Sequence, residues 1–294
     1  MEGRGGRSYA EPMTTLAQPP VKVGDLVREW RTRRRRSQLD LALDVGVSAR
    51  HLSFVETGRS RPSPELVLTL ADHLDVPLRE RNVFMLAAGY APRFGQTSLD
   101  DPSMAQVRAA LGRLLDGHHP YPGVVIDRVW NVVLANRAAA RLTEGLPPDV
   151  TTPVLNVFRV CLHPDGLAGR TRNFGEWAGY LLGQLERLQK LTNDPAVAAL
   201  ADEVGAYRSV TALDPATRER DEAALLVPWS VEVGGHELSF FTTLTTFGTP
   251  RDITLDEVAV ELFYPADEHT ARVLVDLGSR SGRDDRGRPR GQAQ

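Results

Sequence analysis

The segment from Ser37 to Gly58, SQLDLALDVGVSARHLSFVETG, constrains the fold more than any other stretch of the chain. Ser37 is placed to cap a helix, and Asp40, three residues later, completes a capping-box pattern. Gly46 supplies the left-handed backbone conformation that ends this first helix. Ser48 then caps a second helix, which ends at Gly58. The sequence therefore predicts two short helices joined by a tight turn, the helix-turn-helix pattern.

Apolar residues indicate which sides of these two helices face inward. We expect Leu39, Ala42 and Leu43 to form one apolar stripe on the first helix. Leu52 and Val55 form the inward face of the second helix. Packing along these faces would hold the second helix at the fixed angle that it needs to enter a DNA major groove about 12 Å wide.

Further helices are predicted on both sides of this unit. One precedes it, one begins at Ser63-Pro64 with a cap and a proline in its first turn, and one ends at Gly89. Five short helices in about 70 residues predict a compact all-α bundle, which makes a helical hairpin without DNA affinity the weaker alternative. The apolar positions of the three flanking helices are Val23, Leu26, Val27, Trp30, Leu66, Val67, Leu70, Ala71, Leu74, Val83, Phe84, Leu86 and Ala87.

The residues predicted to contact DNA lie at the start of the first helix, on the outward side of the second, and just after it. Gln38 opens the first helix, where its amide and the helix N-terminus can hold a phosphate. Arg50 can grip a guanine with two hydrogen bonds, which contribute about 1–3 kcal/mol of discrimination. Arg59 and Arg61 are candidates for phosphate contacts. The full predicted set is Gln38, Ser48, Ala49, Arg50, His51, Ser53, Arg59 and Arg61.

The order and spacing of these residues resemble the Xre-type, phage-repressor-like helix-turn-helix over residues 23–90. The matching positions are Gln38, Ala42, Gly46-Val47-Ser48, Leu52-Ser53, Glu56, Gly58, Pro62 and Leu70-Ala71. The resemblance implies that Gln38 contacts a phosphate and that Ala49, Arg50 and Ser53 face bases.

The resemblance also bears on residues next to the predicted DNA contacts. It implies an ion pair between Arg31 and Glu56, which makes Glu56 a structural residue. Phe54 stands where many relatives carry a polar residue, and it either touches a thymine methyl group or packs internally; we favour packing. The run from Arg33 to Arg36 either contacts phosphates or is a solvated helix end, and neither interpretation is favoured.

Charge is distributed unevenly along the chain. Residues 1–94 carry 15 Lys and Arg against 11 Asp and Glu, a net charge of +4. The remaining residues carry 20 against 27, a net charge of −7, which leaves −3 for the whole chain. The net charge of the whole chain argues against general affinity for nucleic acid. A basic N-terminal part joined to an acidic C-terminal part, however, is typical of a regulator with one DNA-binding domain.

Length and composition predict two domains between polar ends. No run of about 18 apolar residues predicts a membrane span. The single cysteine, Cys161, excludes an internal disulfide framework and fits a reducing compartment, and with His163 it lacks the second pair that a zinc site needs. We expect a disordered leader at 1–20 without a signal-peptide core, the helix-turn-helix domain at 21–91, a linker at 92–104, the second domain at 105–278 and a disordered tail at 279–294.

The second domain combines helical and strand patterns, which predict an α+β domain with helices on an antiparallel sheet. The pattern HELSFFTTLTTF is rich in Thr and aromatic residues and favours a strand. Asn136 is predicted to cap a helix. The predicted helices are 102–116, 136–142, 173–192 and 195–208, and the predicted strands are 123–128, 130–135, 224–233, 237–247 and 253–264.

Three segments of this domain resemble the ligand-binding domain of MmyB-like transcription regulators over residues 105–275. They are VVIDRVWNVVLANRAAARL, NVFRVCLHPDGL and ELSFFTTLTTFGTPRDITLDEVAVELFYPAD. The resemblance implies a PAS-like fold around an apolar cavity, a fatty-acid-like ligand, and a cytoplasmic, bacterial regulator of the actinobacterial kind. Bulky residues on elements that can line such a cavity are Trp130, Phe158, Trp177, Phe240 and Phe247, although plain core packing is favoured for each.

Two polar candidates for the same cavity are weaker. Arg159 and Arg170 carry guanidinium groups that can meet a ligand carboxylate, but surface placement is favoured for both.

Three classes of function compete for this architecture. The favoured one is a sequence-specific transcription regulator controlled by a small apolar ligand, acting as a homodimer on paired half-sites about one helical turn apart. The alternative is a DNA-binding adaptor whose C-terminal domain binds a protein partner. An enzyme is disfavoured because the sequence has no P-loop, no G-x-S-x-G, no H-E-x-x-H and no dinucleotide fingerprint, and neither cofactor nor metal is expected.

Overall fold

The computed structural model describes residues 21–192, 194–214 and 226–284, and it divides at Arg93 and Phe94 into two units. The predicted leader at 1–20 lies outside the described residues. So does the predicted tail from 285 onward, whereas residues 279–284 belong to the last helix.

Five helices make up the described part of the first unit, residues 21–93, as the sequence predicts. The caps form as expected: the hydroxyl oxygens of Ser37, Ser48 and Ser63 accept hydrogen bonds from backbone N–H groups at 3.1–3.2 Å. Gly46 and Gly58 end their helices with φ of +73° and +71°. The helices are α1 Val23–Arg33, α2 Gln38–Asp44, α3 Ala49–Glu56, α4 Pro64–His73 and α5 Leu78–Ala87.

The predicted apolar stripe of α2 is wrong at two of its three positions. Ala42 is buried, but Leu39 is 58% exposed and Leu43 is 68% exposed, and Leu41 takes the inward place. The cause is the spacing of leucines in LDLAL, which puts an apolar residue on both sides of a helix that turns about 100° per residue. The apolar pattern alone therefore leaves the rotation of α2 undetermined.

The second unit contains nine helices and five strands within its described residues. Asn136 caps a helix as predicted, since its side chain accepts from the backbone N–H of Ala139 at 2.9 Å. The helices are α6 Ala105–Gly117, α7 Arg137–Leu142, α8 Pro148–Thr151, α9 Val157–Leu162, α10 Phe174–Thr192, α11 Pro195–Gly205, α12 Arg208–Thr211, α13 Ile253–Glu257 and α14 Glu268–Asp284, and the strands are β1 Gly123–Ile126, β2 Val132–Ala135, β3 Trp229–Val233, β4 His236–Thr246 and β5 Ala259–Pro265.

All five strands form one antiparallel sheet in the order β2-β1-β5-β4-β3. Gly234 and Gly235, both with positive φ, make the two-residue turn between β3 and β4. The predicted α+β domain with helices on an antiparallel sheet is therefore confirmed.

Two strand predictions need correction at their N-terminal ends. Residues 253–257 are helical, because the Asp252 carboxylate accepts from the backbone N–H of Thr254 at 2.8 Å and caps α13. The strand predicted from 224 begins at Trp229 in the structure, and residues 224–225 lie outside the described residues.

Each face of the sheet carries its own apolar core. Helices α7, α9, α10 and α11 pack on one face, and the largest side chains of that core include Phe158, Trp177 and Trp229. On the other face, α6 places Leu111 and Leu115 against β1 and β5. No helix among the described residues is long and apolar enough to cross a membrane.

Candidate nucleic-acid interface and candidate ligand pocket

The backbone of α1 lies directly against the C-terminal end of α3. A Cβ atom added at Gly24 would overlap the carbonyl oxygen of Val55 and would lie 2.7 Å from that of Glu56. Only glycine permits this approach, which fixes α3 against α1 through backbone atoms. The sequence analysis missed this residue, although a glycine inside a helical pattern is itself a signal of close packing.

Glu56 joins the first three helices. Its carboxylate accepts from Arg31 Nε at 2.7 Å, from Arg31 Nη2 at 3.1 Å and from Gln38 Nε2 at 2.8 Å. Arg28 Nε lies 3.6 Å away. The predicted ion pair between Arg31 and Glu56 is thus confirmed, and Gln38 extends it to α2.

The Glu56 carboxylate is buried but stays ionised. Burial alone would raise its pKa, but the hydrogen bonds from Arg31 and Gln38, together with the charges of Arg31 and Arg28, outweigh burial, so the pKa lies below its usual value. The Glu56 carboxylate that orients α3 therefore remains charged at neutral pH.

Gln38 and Ser48 both make contacts within the domain. The Gln38 amide donates to Glu56, and the Ser48 hydroxyl accepts from the backbone N–H of His51 at 3.1 Å. Their contacts to DNA stay predictions.

The outward side of α3 carries an aromatic residue between two arginines. Arg50 Cζ lies 5.3 Å and Arg59 Cζ 5.9 Å from the centre of the Phe54 ring, which is half-buried. Phe54 thus packs beneath two cations, both of which are exposed. Ala49, His51 and Ser53 are partly exposed on the same helix.

Arg61 is tied to the end of α5. It donates from Nε to Ala88 O at 2.9 Å and from Nη2 to Gly89 O at 3.0 Å, and its guanidinium lies over the Tyr90 ring. These contacts give Arg61 a structural role, and its predicted phosphate contact has no test here.

The arginine run before α2 also makes contacts inside the domain. Arg34 donates to Leu74 O at 2.9 Å, and Arg36 donates to His73 O at 3.3 Å, both at the C-terminal end of α4. Cations at this end of a helix are favourable. The structure thus favours a helix-end role for these two members of the run.

An apolar pocket opens in the second unit between the sheet and helices α7 and α9. It includes about 520 Å³ of space when its open side is counted, but only about 60 Å³ can be reached by a water-sized atom. An engineered apolar cavity of about 150 Å³ accepts benzene, so a larger ligand requires the walls to part. The lining residues are Val124, Val132, Ala135, Ala139, Ala140, Leu142, Thr143, Leu155, Val157, Val160, Cys161, Leu167, Trp229 and Phe263.

The five aromatic residues predicted to line a cavity lie outside this lining. Trp130 packs on Phe158 with ring centres 4.8 Å apart, and both are buried. Trp177 and Phe240 are buried against Trp229, one ring removed from the pocket. Phe247 is 38% exposed just after β4. Their role as ligand contacts therefore stays a prediction.

Arg159 pairs with an acid of the same domain. It donates from Nε and Nη2 to the two carboxylate oxygens of Glu203, at 2.7 and 2.8 Å. Tyr207 donates to the same carboxylate. Arg170 is partly exposed and donates from Nη1 to Glu144 O at 3.4 Å.

Glu261, a buried acid next to the pocket wall, escaped the sequence analysis. Glu261 on β5 is 4% exposed, and Trp177 on α10 is 3% exposed. Burial raises the pKa of Glu261 to about 7, against an opposing effect of the Thr242 hydroxyl. Burial and the charge of Glu261 raise the pKa of Cys161 to about 12, while Trp177 lowers it. The signal for Glu261 was one acid at an inward position of the alternating strand AVELFYP.

The described residues contain no cluster of three or more His, Cys, Asp or Glu side chains that could hold a metal ion.

Comparisons with known proteins agree with this architecture. A helix-turn-helix family model matches residues 27–81. No curated protein matches the chain. The solved PAS domain of Bordetella pertussis BvgS is 18% identical, covers 60% of this chain and 97% of its own, and has a TM-score of 0.25, a likeness too distant to carry an argument.

The second match spans more than half of the chain. The family model for the MmyB-like transcription regulator ligand binding domain covers residues 107–277, the helices and sheet that surround the pocket. The two models together describe a DNA-binding transcription regulator with a ligand-binding domain. The chain therefore belongs to the MmyB-like transcription regulators.

Proposed function

We propose that the chain binds operator DNA through α3 and that a small apolar ligand in the C-terminal domain controls this binding. One observation carries the proposal. The first unit holds a helix that is fixed by buried contacts and has exposed basic residues on its outward side. The second unit of the same chain holds a pocket lined by apolar side chains. A reader and a sensor in one polypeptide can be coupled when the ligand binds two states differently.

The proposed DNA contacts follow the exposure of α3 and its flanks. Arg50 would read a guanine, and Arg59 would contact a phosphate close by. Both are exposed and share Phe54 as a packing surface. The remaining proposed contacts are Gln38, Ser48, Ala49, His51, Ser53 and Arg61.

The proposed ligand is a small, largely apolar molecule, and the family resemblance suggests one like a fatty acid. The pocket supports apolar character because Thr143 and Cys161 are the only polar side chains in its lining. Its small free volume implies that binding moves α7 or α9 relative to the sheet. Such a movement would carry the signal from the ligand to the rest of the domain.

We further propose a cytoplasmic homodimer. A single helix-turn-helix module covers too few base pairs for a specific site, whereas two modules read half-sites about one helical turn apart. Changes of the C-terminal domains would then alter the spacing of the two recognition helices.

The test combines operator selection with native mass spectrometry of the full-length protein. Duplexes would be selected from a random library, and their affinity measured before and after mild organic extraction of the protein. We expect a bound small molecule to be lost on extraction and operator affinity to change by about fivefold or more, a normal coupling between two sites. Unchanged affinity after loss of the molecule would overturn ligand control, and failure to select any sequence would overturn operator binding.

A protein partner for the C-terminal domain is the second candidate function. Strand β3 pairs with β4 only as far as Phe240, so no described strand covers that edge of β4 from Phe241 to Thr246. Leu244 and Phe247 are exposed at this end. An edge of this kind can accept a strand from another protein.

A further inference from the structure

Two buried polar groups in the C-terminal domain have no hydrogen-bond partner among the described residues. They are Glu261 Oε2 and Trp177 Nε1. Buried polar groups are nearly always paired with protein or water, and leaving them unpaired destabilises the fold. Two such groups in one core therefore indicate a place where another molecule belongs.

Glu261 lies next to residues of the pocket wall. It stands directly opposite Val124 of β1 in the sheet register, and Phe263 is two residues along the same face of β5. Both neighbours line the pocket. The unpaired carboxyl oxygen is thus one side chain away from the open space.

Trp177 approaches the pocket from the helical side. Its ring stacks on Trp229, a lining residue, with centres 5.8 Å apart and planes 16° apart. Cys161, another lining residue, interacts with both Trp177 and Glu261. The indole N–H of Trp177 thus has the Cys161 sulfur as a weak acceptor and no oxygen or nitrogen acceptor among the described residues.

No cation accompanies Glu261. The groups that face it from the packed elements are the Thr242 hydroxyl of β4, the Cys161 thiol of α9 and the apolar Val124 of β1. Within the described chain no Arg, Lys or His acts on its charge. A second carboxylate placed here would be buried beside an acid without a positive partner, which is strongly unfavourable.

The two groups together define the hydrogen bonds that a ligand must make. The indole N–H of Trp177 can only donate, so the ligand needs an acceptor. The Glu261 carboxyl accepts in its ionised form and both donates and accepts in its neutral form. A hydroxyl group satisfies both in either form of Glu261, an ammonium group lacks the acceptor, and a carboxylate satisfies both only while Glu261 is neutral.

We propose that the ligand of the C-terminal domain carries an uncharged hydroxyl group that binds between Glu261 and Trp177, with its apolar part in the pocket. This inference rests on the proposed binding of an apolar ligand, and it replaces the fatty-acid-like head group suggested by the family resemblance, because an aliphatic alcohol is preferred to the corresponding carboxylate. Its chemical class is a neutral aliphatic alcohol.

The experiment compares three probes on the extracted full-length protein at pH 7.5. They are hexan-1-ol, hexanoate and toluene, and saturation-transfer NMR titration gives an apparent Kd for each. We expect hexan-1-ol to bind about tenfold more tightly than hexanoate, the effect of one well-made hydrogen bond.

Two substitutions locate the hydroxyl. Glu261→Leu and Trp177→Phe should each weaken hexan-1-ol binding about fivefold or more and leave toluene binding within about twofold. Glu261→Gln should keep most of the alcohol affinity, because an amide still donates and accepts. Glu186→Gln, an exposed acid of α10, is the matched control. If Trp177→Phe fails to fold, Glu261→Leu still decides, since it adds apolar contact.

The other outcomes separate the two proposals. Hexanoate binding as tightly as hexan-1-ol would overturn the inference and leave the apolar pocket intact, and so would binding of toluene alone. An alcohol preference that survives both substitutions would also overturn it, because the hydroxyl would then bind elsewhere. Binding of none of the three probes would overturn the inference and the proposed pocket together.

Discussion

The two domains each bury one glutamate, and they treat it in opposite ways. Glu56 is 2% exposed and receives three hydrogen bonds from Arg31 and Gln38. Glu261 is 4% exposed, and one of its oxygens has no partner among the described residues. The first carboxylate has a lowered pKa, and the second has a pKa of about 7. A satisfied buried acid fixes a structure, whereas an unsatisfied one leaves bonds for a ligand.

The largest expected effect comes from breaking the satisfied site. Arg31→Ala should destabilise the N-terminal domain by about 3 kcal/mol, because it leaves the Glu56 charge buried without its main partner. Hydrogen exchange of the backbone amides of α1–α5, followed at increasing urea concentration, measures this change in the free energy of unfolding. Arg28→Ala is the control, since Arg28 is 53% exposed and lies 3.6 Å away, and it should change stability by less than about 0.5 kcal/mol. Equal effects of the two substitutions would contradict the assigned role of Arg31.

The next prediction separates DNA recognition from structural support within the N-terminal domain. Arg50→Ala should weaken operator binding by about 2 kcal/mol and relax one base preference, while stability stays unchanged. Arg61→Ala should instead lower stability by about 1 kcal/mol, because the carbonyl groups at the end of α5 lose their donors. Binding to selected operators and their single-base variants, with urea unfolding alongside, distinguishes the two. Unaltered base selectivity in Arg50→Ala would argue against its contact with a guanine.

Substituting leucine for each buried acid sharpens the comparison. Glu261→Leu should stabilise the C-terminal domain by about 1 kcal/mol, because it removes a buried group that lacks a partner. Glu56→Leu should destabilise the N-terminal domain, because Arg31 and Gln38 lose their acceptor. Thermal unfolding of the full chain gives both signs. A loss of stability in Glu261→Leu would mean that its carboxyl is satisfied in the folded protein.

The smallest effect is a pH dependence of opposite sign in the two domains. Glu56 has a lowered pKa, so its stabilising contribution is present above the ordinary glutamate pKa and is lost as the pH falls through the lowered value. Glu261 has a raised pKa, so the stability linked to its protonation is present in acid and is lost as the pH rises through about 7. The free energy of unfolding of the C-terminal domain should therefore be lower at pH 8.5 than at pH 5, by about 1 kcal/mol. Hydrogen exchange across this pH range measures the difference. In Glu261→Gln this loss should be absent.

Local features of the N-terminal domain were predictable from the sequence. The serine caps and the positive-φ glycines act within three or four residues, so their side chains and backbone geometry alone determine the turns. The pair of Arg31 and Glu56 was found through resemblance to a family pattern. The rotation of α2 was not predictable, because its leucines lie on both sides of the helix and only contacts with α3 and α4 select Leu41.

Non-local features of the C-terminal domain were largely out of reach. The unpaired groups of Glu261 and Trp177 lie on a strand and a helix that are far apart in sequence, and no local rule relates them. The helix α13 was missed because the apolar residues around it also fit a strand. The cap at Asp252, which starts the helix, was not recognised in the sequence. The sequence offers five aromatic residues as possible pocket lining while favouring core packing for each, and the observed lining consists mostly of smaller aliphatic residues.

The backbone contact at Gly24 has a consequence for how operator preference can change. Since α3 is seated by main-chain atoms of α1 and by Glu56, its position does not depend on the side chains that face outward. Residues 49–53 are therefore expected to be exchangeable on their outward side without moving the helix. The domain holds α3 in one position while its outward side chains change, so new DNA specificities can arise by substitution alone, whether in a laboratory library or among duplicated genes.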